Sequence, residues 1–577
     1  MKTVRAVLIG LSLVSLVILG VCEDADAQGA ASPPGLTATV TIGSDVCVYH
    51  ADRVGDTPCQ DFQVIFEKDG RVVFHHGTLW NTPTPTGKNS DAKVAAKPLE
   101  RYHVKIATAG DTLFDDDISA HVWNAEWTYR QKAITQLRTP AQIVSAHLAF
   151  KYGSPAGLGN IETPTSTPCD TPLCTSNVTV GMPSTGERPD IGLITDVSAD
   201  FMRTGSLTKM LNWARAANSI PVKVLDNITG KPIDLTQYPH ANMYDLPDRQ
   251  GEPWLDKGPA TPTSAGYHIY GPPWTPDTGH YVELSYMAYV ATGDLGFLRD
   301  LQYSANWNGM QDASHNTSGG PIMTGQYRSV AWGMRNLFMA YRATKDAEDR
   351  SVLPEDMMPS SYWQALIDNN EQYIRNHQMA DPHNYFHVFY MGDGNQGFPP
   401  WQADYTLSAF AFGVLTGQGK WADIYLWGLK NVIDRTNNKS GWPPAVMPYQ
   451  LPIVAIGSGT GGEPPATSTN GSWMTTWAEA FDEFYNHCPD CGGSEISKGQ
   501  YAALKTDGMN GGAINQGREY LYTTRAVLVM AAYLDDLGLV DVRGTYPELD
   551  ACIANVETLL KHGGANTLNP RQAVVLP

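Results

Sequence analysis

The sequence predicts an α+β multidomain protein, with an N-terminal all-β sandwich or barrel-like domain followed by a large all-α (α/α)6-type toroid of helical hairpins. Three observations predict it. Short alternating apolar runs fill the first 150 residues, the hydrophobic spacing then becomes helical, and one helix–turn–helix unit recurs through the remainder. At 577 residues the chain is too long for one small core, and 42% hydrophobic with 17% charged residues is a globular balance.

Residues 1–27 read as a signal peptide. Lys2 and Arg5 precede an apolar run over 6–21, and Ala25-Asp26-Ala27 offers a small-residue cleavage site near Ala27. The run, roughly 16 residues, is short for a membrane span. Leu19-Gly20-Val21 before Cys22 is a poor lipoprotein signal. The expected location is secreted or periplasmic, with no membrane span. The other cysteines fall into close pairs, 47/59, 169/174 and 488/491, with Cys552 left over; this predicts local disulfides formed in an oxidising compartment. A zinc site around His487, Cys488 and Cys491 is the rival for the last pair, but a single CxxC is a weak signal.

Residues 28–150 form the expected β domain. Its strands include LTATVTI (37–43), DFQVIFEKDGRVVFHHG (61–77) and RYHVKIATAG (101–110), and Asp69-Gly70 marks a hairpin turn. A Pro/Thr/Ser-rich linker is expected over 151–189. From 190 to 577 the period is helical. Stretches 201–218, 289–307 and 412–432 each place Thr-Gly between two helical runs, where glycine closes one helix and a polar residue caps the next. First helices are expected to begin near Asp190, Asp277, Arg328, Asp404, Trp473 and Arg518. Their partners are expected at 206–218, 294–307, 362–378, 420–435 and 546–562, with the fifth hairpin's partner poorly marked.

Each first helix is preceded or opened by a polar and aromatic cluster: GERPDIG (186–192), WTPDTGH (274–280), GQYRSVAWGMR (325–335), PPWQADYT (399–406), NGSWMTTWAE (470–479) and NQGREYLYTTR (515–525). Loops that lead into inner helices share one end of a toroid. The expected mouth therefore gathers Arg188, Asp190, Asp277, His280, Tyr327, Arg328, Trp332, Trp401, Asp404, Trp473 and Glu479. A long insertion over 234–258 adds Tyr238, His240, Tyr244 and Asp245, and 383–402 is a second one. The plain alternative makes Asp190, Asp277 and Asp404 helix caps. Capping accounts for each acid singly, but it does not require Trp, Tyr, His and Arg beside the acid every time. The 15 Trp and 27 Tyr suit stacking on sugar rings as well as core packing, and a net charge of −19 argues against a nucleic-acid partner. No phosphate-binding glycine loop, serine nucleophile elbow or HExxH motif is present, and no cofactor is implied.

The motifs GMPSTGERPDIG, DTGH…YMAYVATGD and GQYRSVAW…PPWQADY resemble a group of secreted bacterial proteins that pair a β domain with an (α/α) toroid. These are similar to exo-acting rhamnogalacturonan lyases, and the likeness, at the level of motif order, covers roughly 120–440. It implies a carbohydrate-active enzyme with its site in the toroid mouth, acting on a polysaccharide or oligosaccharide. Two chemistries fit such a mouth. A glycoside hydrolase needs a protonated acid and a second carboxylate, to be found among Asp190, Asp277, Asp404 and Glu479. A polysaccharide lyase neutralises a uronate, abstracts the adjacent proton and protonates the leaving oxygen, for which Arg188, Arg328, His280, His240, Tyr244 and Tyr327 offer the groups. The acidic rim places hydrolysis slightly ahead. A non-catalytic glycan-binding envelope protein is the reading from another class.

Overall fold

The computed structural model describes residues 35–52, 59, 62–67, 69–77, 100–182, 188–225, 231–236, 274–310, 327–389, 397–442, 451–452, 474–480, 482, 518–562 and 567–577. A β-sheet region comes first and a mostly helical region follows.

Among the described residues, seven strands build two facing sheets. Strands β1 (Thr37–Ile42), β2 (Asp45–His50), β5 (Glu100–Ala107) and β6 (Thr112–His121) form one sheet in the order β2-β1-β5-β6. Strands β3 (Phe62–Phe66), β4 (Arg71–His76) and β7 (Ala125–Arg130) form the other in the order β3-β4-β7. All neighbouring strands in both sheets are antiparallel. The expected hairpin is present: Gly70 takes φ +87° between β3 and β4, a conformation that favours glycine. Alternation along β1 and β5 turns Ala38, Val40, Val104 and Ile106 inward, onto Phe62, Val72, Phe74 and Trp127 of the opposing sheet. The Cys47–Cys59 disulfide staples this layer pair.

The second sheet is covered on both faces. Along β4, Val72 and Phe74 face the sandwich core, while Arg71 and His75 face away yet are equally buried. The helical region covers them. Arg71 and Arg130 both meet Asp294 (3.5 and 3.2 Å), Glu126 meets Arg299 at 3.4 Å, and the backbone N–H of Lys223 donates to Asn124 O at 3.0 Å. The Pro/Thr/Ser-rich stretch expected as a linker is packed rather than free. Tyr152, Leu158, Cys169 and Met182 belong to the helical core, and Asn160–Ile161 pairs in parallel with Thr567–Leu568. A second disulfide, Cys169–Cys174, lies within it; Cys552 is a buried free thiol, and Cys488 and Cys491 lie outside the described residues. The two disulfides fit an exported protein. Among the described residues no helix is long and apolar enough to cross a membrane.

A capped helix, α1 (Pro140–Ser145), leads into the hairpins. These pair α2 (Asp196–Thr204) with α3 (Leu207–Arg215), α4 (Tyr286–Thr292) with α5 (Leu295–Met310), α6 (Tyr327–Asp349) with α7 (Ser360–Ile374), α8 (Pro400–Leu415) with α9 (Ala422–Thr436), and α10 (Arg518–Asp536) with α11 (Leu549–His562). Helix α4 packs on α6, α6 on α8 and α8 on α10, and the turn Pro570–Gln572 touches both α10 and α2. Gly205 and Gly293 end α2 and α4 in the left-handed conformation, as the Thr-Gly pairs predict. Two first helices begin later than expected, α2 six residues after Asp190 and α4 nine after Asp277, because both polar clusters form loops.

Gly296 sits where α5 meets the sheet. A Cβ there would press on the Arg71 guanidinium and stand 2.9 Å from Arg130 Nη2. Gly296→Ala is expected to lower stability by about 1–3 kcal/mol through overpacking, read as a drop in the thermal midpoint. A second expectation concerns pH. Burial pulls the His76 imidazole down from 6.5 to about 4. As pH falls the unfolded chain takes up this proton first, so stability is complete above 6.5 and is lost progressively down to about 4. At about 1.4 kcal/mol per pKa unit the loss is on the order of 3 kcal/mol. Urea midpoints measured across that window should decline, and His76→Gln should flatten the decline.

Candidate functional site

The first turns of α6 and α8 and the loops around 188–192 and 274–281 meet at one end of the helical region. The 188–192 loop is held internally. Arg188 Nε donates to Asp190 Oδ1 at 2.9 Å, the other Asp190 oxygen accepts from Thr179 N at 3.3 Å, and Arg188 Nη2 donates to His280 O at 3.1 Å. Both side chains are buried. Asp190 is therefore neither a cap nor an open acid; Thr195 caps α2, its hydroxyl accepting from Ser198 N. The Arg188–Asp190 pair fixes the backbone of the histidine loop.

That loop carries the most exposed titratable pair in the cluster. Residues Thr278–His280 form one 3-10 turn, and His280 Nδ1 lies 2.5 Å from Asp277 Oδ1. The Asp277 side chain is 33% exposed and that of His280 10%. The turn packs on α6, where Thr278 Oγ1 donates to Ser329 Oγ at 2.9 Å. Arg335, one level deeper on α6, donates to Tyr281 O at 3.1 Å and also to Gly192 O, so one guanidinium holds both loops. Burial pulls its pKa down to about 10, against the opposing charge of Glu283. Glu283 itself accepts from Ser285 N and Tyr286 N at 2.7 and 2.9 Å and fixes the start of α4. Asp277 engages Nδ1, which leaves Nε2 as the His280 ring nitrogen not held by that carboxylate.

Arg328 follows on the first turn of α6. Its backbone N–H donates to Gln402 Oε1 at 3.0 Å, and its guanidinium lies over Trp401, 5.1 Å from the ring centroid. Trp401 also stacks on Tyr520 at 4.9 Å, and Trp332 packs on Tyr405 at 4.9 Å beneath Arg335. Both tryptophans are buried, and their faces are already covered. Expected as sugar platforms, they instead brace the helix starts. Tyr327 is buried as well, and burial pushes its hydroxyl well above its ordinary pKa, keeping it protonated.

Two of the expected catalytic acids have other work. Asp404 is fully buried one turn inside α8, where it accepts from Arg435 Nη2 at 2.5 Å and Thr524 Oγ1 at 2.6 Å, joining α8 to α9 and α10. Burial raises its pKa against the pull of Arg435. The exposed Glu479 carboxylate accepts from Thr475 N at 2.8 Å and Thr476 N at 3.2 Å, an N-terminal cap on the helical turn that starts at Trp477. Those bonds lower its pKa and hold it ionised. Tyr244, His240 and Trp473 lie outside the described residues. Among the described residues, no three His, Cys, Asp or Glu side chains converge as a metal site.

Arg188, Asp190, Asp277, His280 and the start of α6 thus form one connected set, with Arg328, Trp332 and Trp401 following along α6 and α8. Arg335, Glu283, Arg571 and Thr524, none of them singled out from the sequence, hold this set in place. Asp404→Ala should behave as a folding defect, because it removes the buried carboxylate that both Arg435 and Thr524 bind. A loss of about 3–5 kcal/mol is expected, measurable by urea unfolding. Conservative Asp277→Asn, at a partly exposed position, should leave the unfolding midpoint nearly unchanged. No family model matches the chain, and neither a curated protein nor a solved structure matches it.

Proposed function

We propose that this chain is an exported carbohydrate-active enzyme that cleaves an acidic polysaccharide by β-elimination at the mouth of an (α/α)6 toroid, after loss of a leader near Ala27. The Asp277–His280 pair, 2.5 Å apart and partly open to solvent, is the observation that carries the reading. Side-by-side packing of α4, α6, α8 and α10, with the Pro570–Gln572 turn between α10 and α2, supports the toroid.

Hydrolysis needs two available carboxylates. Asp404 is enclosed with Arg435, Asp190 is bound by Arg188, and Glu479 caps a helical turn, which leaves Asp277 as the one of these four acids, all among the described residues, without such a role. Elimination needs a base, a cation for the sugar carboxylate and a proton for the leaving oxygen. In this reading His280 removes the proton from the carbon beside the uronate carboxylate. The C–H electron pair becomes the new C=C bond, and the glycosidic C–O bond breaks. Asp277 orients the imidazole and stabilises its protonated form. Arg328 neutralises the uronate, and the protonated Tyr327 hydroxyl gives its proton to the leaving oxygen, which keeps the electron pair of the broken C–O bond.

Purified protein incubated with polygalacturonate and with neutral polysaccharides tests this directly. Ultraviolet absorbance of the conjugated double bond should rise in step with reducing ends on the acidic polymer alone. His280→Ala should reduce that rate by about 10²–10⁴-fold, the usual contribution of a positioned base, with Asp277→Asn close behind. Reducing ends without absorbance would return the mouth to hydrolysis. Binding without any product would make the protein a glycan-binding one.

A further inference from the structure

A cleft of about 360 Å³ opens between β7 and the loop closed by the Cys169–Cys174 disulfide, and it contains none of the mouth residues. Its floor is rigid. Trp127 stacks on Phe74 at 4.2 Å with the rings 4° from parallel, and its Nε1–H donates to Tyr102 Oη at 2.6 Å. Phe114 lies against Trp127 and Tyr129, with centroids 5.5 and 5.9 Å away, and both Phe114 and Tyr129 remain partly exposed. The opposite wall is Pro172 and Leu173. Leu173 adopts φ +56°, which a branched L side chain seldom does, while packing against both the sandwich core and the helical core. The disulfide and the bond from Ser219 Oγ to Cys174 O (3.0 Å) hold that loop in place. Strain of this kind concentrates at binding sites, where a fixed wall lowers the ordering cost of a ligand.

The rim is cationic on an otherwise acidic chain. Arg130, Lys132 and Arg215 line it against one acid, Asp170, whereas the whole chain carries −19. Asp170 pairs with Arg215, and Arg130 is tied back to Asp294. Lys132 is exposed and has no ion-pair partner among the described residues. Half-exposed aromatic rings next to free positive charge suit a ring-shaped ligand with an anionic substituent. The volume is at the lower end of the about 300–1,000 Å³ typical of small-molecule pockets, too small for a protein segment of any length.

We infer that this cleft is a second binding site, for one or two carboxylated sugar units, holding an acidic glycan on the β-sandwich apart from the mouth. The inference rests on the preceding reading only for the kind of polymer. Its test is calorimetric titration of digalacturonate, with cellobiose as the neutral control, into the full chain and its Lys132→Gln, Arg215→Gln and His280→Ala variants. Digalacturonate should bind the His280→Ala protein through the cleft, at least tenfold more tightly than cellobiose. Adding Lys132→Gln or Arg215→Gln to His280→Ala should weaken that binding at least tenfold with the thermal midpoint preserved. Lys132→Gln makes the reading independent of the Asp170 pair. Undiminished binding in both cleft variants, equal binding of cellobiose, or no binding at all would overturn the site. Cleft binding without turnover of any polymer would instead overturn the mouth chemistry and leave the cleft standing.

Discussion

Asp294 is the point on which the architecture turns. Two arginines from the sandwich, Arg71 and Arg130, converge on this one carboxylate at the turn between α4 and α5. All three groups are largely withdrawn from water. Burial pushes the Asp294 pKa up, but the two guanidinium charges and the Gly296 N–H more than reverse this, and the carboxylate is held below its ordinary range. Glu126 and Arg299 repeat the arrangement one turn along α5; there burial raises the Glu126 pKa, and Arg299 with His75 brings it down to about 2. Buried charges of this kind contribute little net stability compared with apolar packing, yet any one of them left unpaired is severely destabilising. They therefore specify one docking geometry between sheet and helices. The α4–α5 turn that receives the sandwich is at the opposite end of α4 from the His280 loop.

The loop cluster around His280 follows the same logic on a smaller scale. Its polar side chains mostly bind backbone. Arg188 reaches His280 O, Arg335 reaches Tyr281 O and Gly192 O, and Arg571 Nη1 reaches Arg188 O at 2.8 Å. Loops without regular structure have many unsatisfied carbonyls, and a multivalent donor such as arginine answers several at once. The outcome is a rigid frame in which one acid–imidazole pair remains partly exposed.

Hairpins were readable from the sequence because their signals are local. Thr-Gly pairs at 204–205 and 292–293 mark helix ends whose glycines do take positive φ, and the partner runs at 206–218, 294–307 and 420–435 overlap the observed helices. The duties of the acids were not readable. Asp404 finds Arg435 31 positions later and Thr524 120 positions later, distances over which no spacing rule operates. Glu479 is the instructive case: Thr476 stands three residues before it, the spacing of a capping box, so the signal is in the sequence beside the tryptophans that suggest a site. The Pro- and Thr-rich stretch after Phe150 misleads for a related reason. Composition marks absence of regular structure, whereas burial of Leu158 and Met182 depends on what folds around them.

The pairing of residues 567–577 with the start of the helical region carries a further meaning for how such a chain comes into being. Arg571 donates to Asp196 across 375 residues, Gly153 N donates to Ala573 O, and Val575 N donates to Lys151 O. Each hairpin can condense as it emerges from the ribosome, since its contacts are short in sequence. The seam beside α2 has no local substitute and stays open until residues 567–577 have been made. Synthesis thus leaves a long interval in which successive hairpins are formed but the assembly is not locked, and residues 567–577 act as its latch.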